Sequence, residues 1–187
     1  EEIQDYVVSE VGIDHESVFL IPNGVNTEMF QVRDREECRE RLNLRVGSFT
    51  VGFVGGFLPW QGVLVLLRAF ARLLEEVEED CQCVIVGYGP EREKYRCLIE
   101  ELGIEESVLL RGRVDIEESA LWMGSFDVGV HLVTAGKECS PVKVLCYMAC
   151  GVASVVSEGV DGFADFRDGE YGLKVCGDDV EAVKEAL

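Results

Sequence analysis

The sequence predicts an α/β protein, a Rossmann-like parallel sheet with helices on both faces. Three observations predict it. Apolar runs of about four to six residues alternate with longer segments at helical spacing, the signature of βαβ units. The runs are apolar throughout, as strands buried on both faces are. Several close in glycine turns, among them Gly55-Gly56, Gly87-Tyr88-Gly89-Pro90 and Gly112.

Taken in order, Ile3, Tyr6, Val7 and Val11 mark a first helix ending at Gly12, and Ser17 to Ile21 reads as a strand stopped by Pro22-Asn23-Gly24. Asp34 is placed to cap a polar-faced helix over Arg35 to Leu44. Thr50 to Gly56 is a strand, followed by the loop Phe57 to Gln61 and a helix from Gly62 to Glu78, whose inner stripe is Leu66, Leu67, Phe70, Leu73 and Leu74. The pattern repeats with a strand at Cys83 to Gly87 and a helix from Glu91 to Leu102 closed by Gly103. It repeats again with a strand at Val108 to Gly112 and a helix from Ile116 to Met123. Asp127 to Leu132 is the next strand; Ser154 to Val156, Leu173 to Val175 and a helix from Asp178 complete the chain. Right-handed crossovers bring the loops 55–61, 87–90, 112–115 and 133–140 to one rim, at the carboxyl ends of the strands, where ligands of such sheets bind.

Composition narrows the classes. The chain has 187 residues, 48% of them hydrophobic and 28% charged, which fits one soluble globular domain spanning 1–187. No apolar run approaches a membrane span, and residue 1 opens inside a polar helical segment, so a cytoplasmic piece of a longer protein is the expectation. Acidic residues outnumber basic ones by 36 to 17, and the net charge of -19 excludes non-specific binding of nucleic acid or anionic lipid. Eight cysteines occur without a CxxC pair or accompanying histidines, so neither a metal nor a disulfide scaffold is expected. Against the acidic background, Arg111, Arg113, Lys137 and Lys143 supply local positive charge of the kind a small anion needs.

The central stretch is Glu138-Cys139-Ser140-Pro141-Val142-Lys143, leading into Cys146-Tyr147-Met148-Ala149-Cys150-Gly151. Ser140 suits the capping position, Pro141 the first helical position and Gly151 the left-handed residue past the end, which predicts a helix from about Pro141 to Cys150. Its start offers unpaired N–H groups and the positive end of a dipole to an anion. Most such junctions in α/β proteins bind nothing, and the short motif alone does not decide between the two readings. His131, within an apolar run, reads as a hydrogen-bonded structural histidine; Tyr147 and Met148 read as core, and Trp60 as loop packing.

Five segments occur together and in one order: Ile21-Pro22-Asn23-Gly24-Val25-Asn26 with Phe30; Gly52-Phe53-Val54-Gly55 through Trp60-Gln61-Gly62; Ile85 to Glu91; Gly112-Arg113-Val114; and Ser140 to Lys143 with Tyr147 to Gly151. Together they resemble the C-terminal, donor-binding domain of retaining glycosyltransferases of the GT-B fold, group 1 (family 4). The resemblance implies a nucleotide-diphosphate sugar as substrate, no cofactor and no metal, and an N-terminal acceptor-binding domain as partner. It implies that Glu138 acts at the donor sugar, that the amides around Cys139, Ser140, Pro141 and Val142 meet the diphosphate, and that Gly55 belongs to the first donor loop. It also implies that the base is read near Arg113 and Val114.

Three positions depart from the family pattern. Cys146 stands where a glutamate usually holds the ribose, and a thiol cannot accept the paired hydrogen bonds of a carboxylate. Gly56 and Gln61 stand where arginine and lysine are common, although Pro59-Trp60-Gln61-Gly62 is similar to a Pro-Trp-His-Gly variant of this loop. Lys143 and Arg113 are the candidates for the missing charge; each can equally be a solvated residue. The alternative to a donor domain that serves catalysis is a degenerate module of the same fold that binds a nucleotide weakly or not at all.

Overall fold

A computed structural model of the chain describes residues 2–19, 21–134, 140–158 and 166–187. Its strands are β1 (Phe49–Gly56), β2 (Cys81–Tyr88), β3 (Val108–Arg111), β4 (Val128–His131), β5 (Ala153–Ser157) and β6 (Gly172–Val175). They form one sheet in the order β3-β2-β1-β4-β5-β6, and every neighbouring pair is parallel. The chain therefore starts at the middle of the sheet, winds outward to β3, crosses back to β4 and winds out the other way. Between β1 and β4 the direction of winding reverses, the switch point at which such sheets hold ligands.

The helices are α1 (Glu2–Ser9), α2 (Arg35–Leu42), α3 (Val63–Glu76), α4 (Arg92–Leu102), α5 (Ile116–Gly124), α6 (Val142–Ala149) and α7 (Val180–Ala186). Side chains alternate faces along each strand. Val51 and Phe53 of β1 and Cys83 and Ile85 of β2 join the cluster containing Leu66, Leu67 and Phe70 of α3, Tyr95 and Leu98 of α4 and Val183 of α7. Val54, Val84 and Val86 face the other way, into a cluster with Ala120 and Trp122 of α5 and Cys146 and Tyr147 of α6. A strand so buried on both faces cannot alternate polar and apolar residues, which is why the runs read as continuous.

Helix termini follow local chemistry. Asp34 accepts from Glu37 N at 2.9 Å and Asp115 from Glu118 N at 2.7 Å, each satisfying an otherwise free amide of the first turn. Gly103 and Gly151, at φ 67° and 71°, end α4 and α6 in the left-handed region, as expected from their positions. Helix α2 is tied to the sheet through Asp127, which accepts from Arg39 Nη2 at 2.5 Å, Arg35 Nη1 at 2.9 Å and Thr50 N at 2.7 Å.

Two expectations are corrected. Ser17 to Ile21 forms no strand in its described residues: a short 3-10 turn covers His15–Ser17, and Phe19 and Ile21 beyond it are 81% and 83% exposed. A strand requires a ladder partner, and the described residues of this segment lie outside the six-stranded sheet. Ser140 is not the cap of α6. The capping position falls to Pro141, with no side-chain hydrogen bond, because the Ser140 hydroxyl accepts instead from Asn23 Nδ2 at 2.7 Å.

Candidate functional site

Strands β1 and β2 stay paired as far as Gly56 and Tyr88, whereas β1 and β4 pair only at Val51–Val128 and Gly52–Gly129. The Tyr147 hydroxyl occupies the split. It accepts from Val54 N at 3.2 Å and donates to the Val130 carbonyl at 3.5 Å, replacing a missing ladder bond with a side-chain bridge. Burial raises its pKa, so the phenol keeps the proton it donates. Gly129 makes the bridge possible, since a Cβ there would lie 2.6 Å from the Tyr147 ring. Tyr147 was expected as core, and it is; its polar role carries no sequence signal. Tyr147→Phe leaves the buried Val54 N–H without its partner and is expected to cost about 1–3 kcal/mol. Urea unfolding checks this, and an unchanged midpoint would show that the hydroxyl carries no weight.

Lys143 lies one turn before Tyr147 on α6. Its ammonium sits 4.7 Å over the Phe53 ring of β1 and hydrogen-bonds Gln61 Oε1. A Cβ on Gly55 would come within 3.0 Å of Lys143 Nζ, so the glycine admits the lysine to the strand end. Gln61 is itself buried; its backbone N–H donates to Leu58 O at 3.0 Å, and it bridges in antiparallel fashion to Val133. The first loop thus offers its glutamine to a lysine from a helix some eighty positions further along.

Beside this group opens a cleft of about 460 Å³. Val54, Gly55 and Gly56 of β1 form its floor and first wall; Val86, Gly87 and Tyr88 of β2 form the second; Arg113 and Val114, with Asp115, Ile116 and Ser119 at the start of α5, form the third. Three of the four expected rim loops therefore meet. The fourth reaches the rim through Thr134 N, which donates to Trp60 O at 3.0 Å. Tyr88 and Ile116 are exposed at 69% and 58%, giving the cleft apolar lips that motif reading did not single out.

Of the proposed donor contacts, Gly55, Gly56, Arg113 and Val114 line the cleft, and Gln61 and Lys143 stand together beside Gly55. Ser140 and Val142 are exposed at the start of α6, while Pro141 is buried. Cys146 is 5% exposed within the cluster of Phe126 and Tyr147, and burial pushes its thiol up to about 11, so it stays a neutral hydrophobe. Glu138, Cys139 and Lys137 lie outside the described residues. Arg111 pairs with Glu118 at 3.5 Å and is not among the residues lining the cleft.

His131 departs from its expected hydrogen-bonded role. It is fully buried on β4, and neither ring nitrogen has a hydrogen-bond partner among the described residues. Burial, reinforced by the Lys143 charge, lowers its pKa from 6.5 to about 3. The unfolded chain therefore binds a proton that the folded chain refuses, and this group's contribution to stability falls as pH drops from 6.5 toward 3.

A parallel sheet wound outward in both directions from its centre, with glycine turns around a cleft at the carboxyl ends of its strands, defines a Rossmann-like domain. The chain belongs to the glycosyl transferases group 1 family, whose profile matches residues 48–187. It is 30% identical over 183 residues to the D-inositol 3-phosphate glycosyltransferase of Acidothermus cellulolyticus, covering 92% of this chain and 40% of that protein. Among solved structures, it superposes on WaaG, a glycosyltransferase involved in lipopolysaccharide biosynthesis, with a TM-score of 0.80 at 21% identity over 99% of this chain and 50% of that one. It also superposes on Anabaena HepE in complex with UDP and glucose, with a TM-score of 0.77 at 21% identity over 97% and 49%. The fold is thus that of one GT-B half, and the chain spans about half the length of the relatives it matches. Among the described residues, no helix is long and apolar enough to cross a membrane.

Proposed function

We propose that this chain is the donor-binding half of a retaining glycosyltransferase, and that its cleft takes the nucleoside of a nucleotide-diphosphate sugar. The observation that carries the proposal is the convergence of three strand-end loops on one cleft over the carboxyl ends of β1 and β2, with Lys143 beside Gly55, one of its lining residues. In this reading the base and ribose lie between the Gly87–Tyr88 turn and the Arg113–Val114 turn. The diphosphate runs toward Gly55, Lys143 and the start of α6, where Ser140, Pro141 and Val142 are placed.

Lys143 and Arg113 have different parts. Lys143 stands beside Gln61 and Gly55, so its charge serves where the family commonly has loop arginine and lysine at positions 56 and 61. Arg113 stands on the nucleoside side. As the bond from sugar to diphosphate breaks, charge grows on the leaving phosphate, and a fixed ammonium with helix-start amides stabilises it without reorganising. Glu138 is assigned to the donor sugar, and the acceptor to an N-terminal domain. Transfer requires both substrates to be held in line, so the 187-residue chain alone is expected not to turn over.

Isothermal titration with UDP, GDP and ADP tests the reading. One of them is expected to bind, and Lys143→Met is expected to weaken it about tenfold, in keeping with the loss of one charge-assisted hydrogen bond. Absence of binding by all three at millimolar ligand overturns the donor reading. One observation favours the degenerate-module alternative: position 146 presents a buried neutral thiol where the family has a ribose-holding carboxylate.

A further inference from the structure

Tyr88 is the only aromatic residue among the described ones that line the cleft, and it is 69% exposed. Its main chain is held in place. Gly56 is its register partner on β1, its carbonyl accepts from Phe57 N at 2.9 Å, and a Cβ on the next residue, Gly89, would lie 2.4 Å from the Phe57 carbonyl oxygen. The ring, by contrast, packs on no other aromatic ring and under no cation among the described residues. A fixed backbone that carries an uncovered ring on two torsions makes a contact surface that loses little entropy when a ligand covers it.

The neighbouring wall indicates which part of a ligand belongs there. The Asp115 carboxylate accepts from Glu118 N at 2.7 Å and the Ser119 hydroxyl donates to the Ile116 carbonyl at 2.7 Å, so both polar groups serve the first turn of α5. Ile116 is 58% exposed, and Arg113 and Asp115 bring opposite charges to the same wall. Gly55, Gly56 and Gly87 bring main chain instead of side chains to the floor. An aromatic ring, a branched aliphatic side chain and balanced charge suit a flat, uncharged heterocycle better than a phosphate.

We propose that Tyr88 is the stacking residue for the base of the donor nucleotide: its ring lies along one face of the base, and Ile116 adds apolar contact from the α5 wall. The inference rests on the donor reading above and adds to it a side chain that recognises the base by its face. The edge of the base is left to the Arg113–Val114 turn. Stacking is indifferent to that edge, because every base has a π-face. Tyr88 and Lys143 therefore act on different parts of one ligand.

The experiment is a titration of UDP into the whole chain and its Tyr88 variants, with proton spectra of the bound nucleotide and thermal melting of each variant. GDP and ADP are the alternative probes if UDP does not bind. Tyr88→Ala is expected to weaken binding about tenfold, the scale of one base–aromatic stack. Tyr88→Phe keeps the ring and is expected to stay within about twofold of the original chain, whereas Tyr88→Leu keeps bulk without a ring and is expected to lose at least about fivefold. All three are expected to melt within about 2 °C of the original, since only the main chain of this residue joins the strand ends. The ring protons of the bound base are expected to move upfield with the original chain and with Tyr88→Phe, and to lose most of that shift with Tyr88→Leu. Unchanged affinity in Tyr88→Ala, or an upfield shift that survives in Tyr88→Leu, overturns the stacking assignment while the donor reading stands. A loss in Tyr88→Phe as large as that in Tyr88→Ala overturns it as well, because the hydroxyl and not the ring would then be the contact. If Tyr88→Ala does not fold, the comparison of Tyr88→Phe with Tyr88→Leu decides by the same criteria. If the unsubstituted chain binds none of the three nucleotides, the donor reading fails first and this assignment with it.

Discussion

Asp127→Ala is expected to lower the thermal unfolding midpoint by about 6–12 °C, corresponding to about 3 kcal/mol in a chain of this size. The Asp127 carboxylate is the shared acceptor of Arg39, Arg35 and the Thr50 amide. Arg39 has only 3% of its side chain exposed, and its other partners are Glu36 Oε1 at 2.6 Å and the Ser125 carbonyl at 3.0 Å. Removing the carboxylate leaves a buried guanidinium under-compensated and orphans a β1 amide. Glu36 has a side chain 45% exposed, so its contribution is screened by water and cannot stand in for the lost partner. Asp127→Asn keeps an acceptor and loses the charge, and is expected to fall about halfway. Calorimetric melting of both variants measures this, and a change below about 1 kcal/mol for Asp127→Ala would show that Glu36 and Ser125 suffice for Arg39.

Gly87→Ala is the second large effect, with an expected loss of at least about 3 kcal/mol together with nucleotide binding. Gly87 has φ 149°, a conformation that side chains rarely adopt, and a Cβ there would overlap the Gly55 carbonyl oxygen. The backbone has little room to yield. Gly55 and Gly87 are register partners, Phe57 N donates to Tyr88 O at 2.9 Å, and Glu91 N donates to Phe57 O at 3.2 Å. The two turns that frame the cleft are therefore locked by this close approach, and separating them reshapes the proposed nucleoside site. Gly112 is the control: it also follows a strand, but a Cβ there meets nothing within 4 Å, so Gly112→Ala is expected to stay within about 0.5 kcal/mol. Denaturant unfolding alongside UDP titration separates the two; near-original stability for Gly87→Ala would mean that the strand ends are looser than their hydrogen bonds imply.

The contrast between Gly87 and Gly112 marks a limit of sequence reading. Both are glycines that close an apolar run, and both read as the last residue of a strand where a rim loop begins. Only the neighbouring strand makes one of them indispensable. Lys143 and Arg113 are likewise both candidates for the missing loop charges, with Lys143 the stronger, and the structure separates them: the lysine reaches Gln61 and Gly55, while the arginine lines the cleft.

What the residues determined by themselves is the alternation of strands and helices, and hence the parallel sheet. Buried-strand runs, the Asp34 and Asp115 caps and the Gly103 and Gly151 terminators act over a few positions of chain, where local chemistry dominates. The same holds for the glycine turns that mark the rim. Tertiary structure decided everything that depends on a partner distant in sequence. Ser17 to Ile21 has the composition of a strand but no ladder to join; Ser140 has the chemistry of a cap but binds Asn23; Tyr147 bridges two strands that its own helix only covers; His131 finds no hydrogen bond among the described residues. Each of these outcomes is fixed by which groups the sheet order places within about 3 Å of one another, and periodicity along a chain carries no record of that distance.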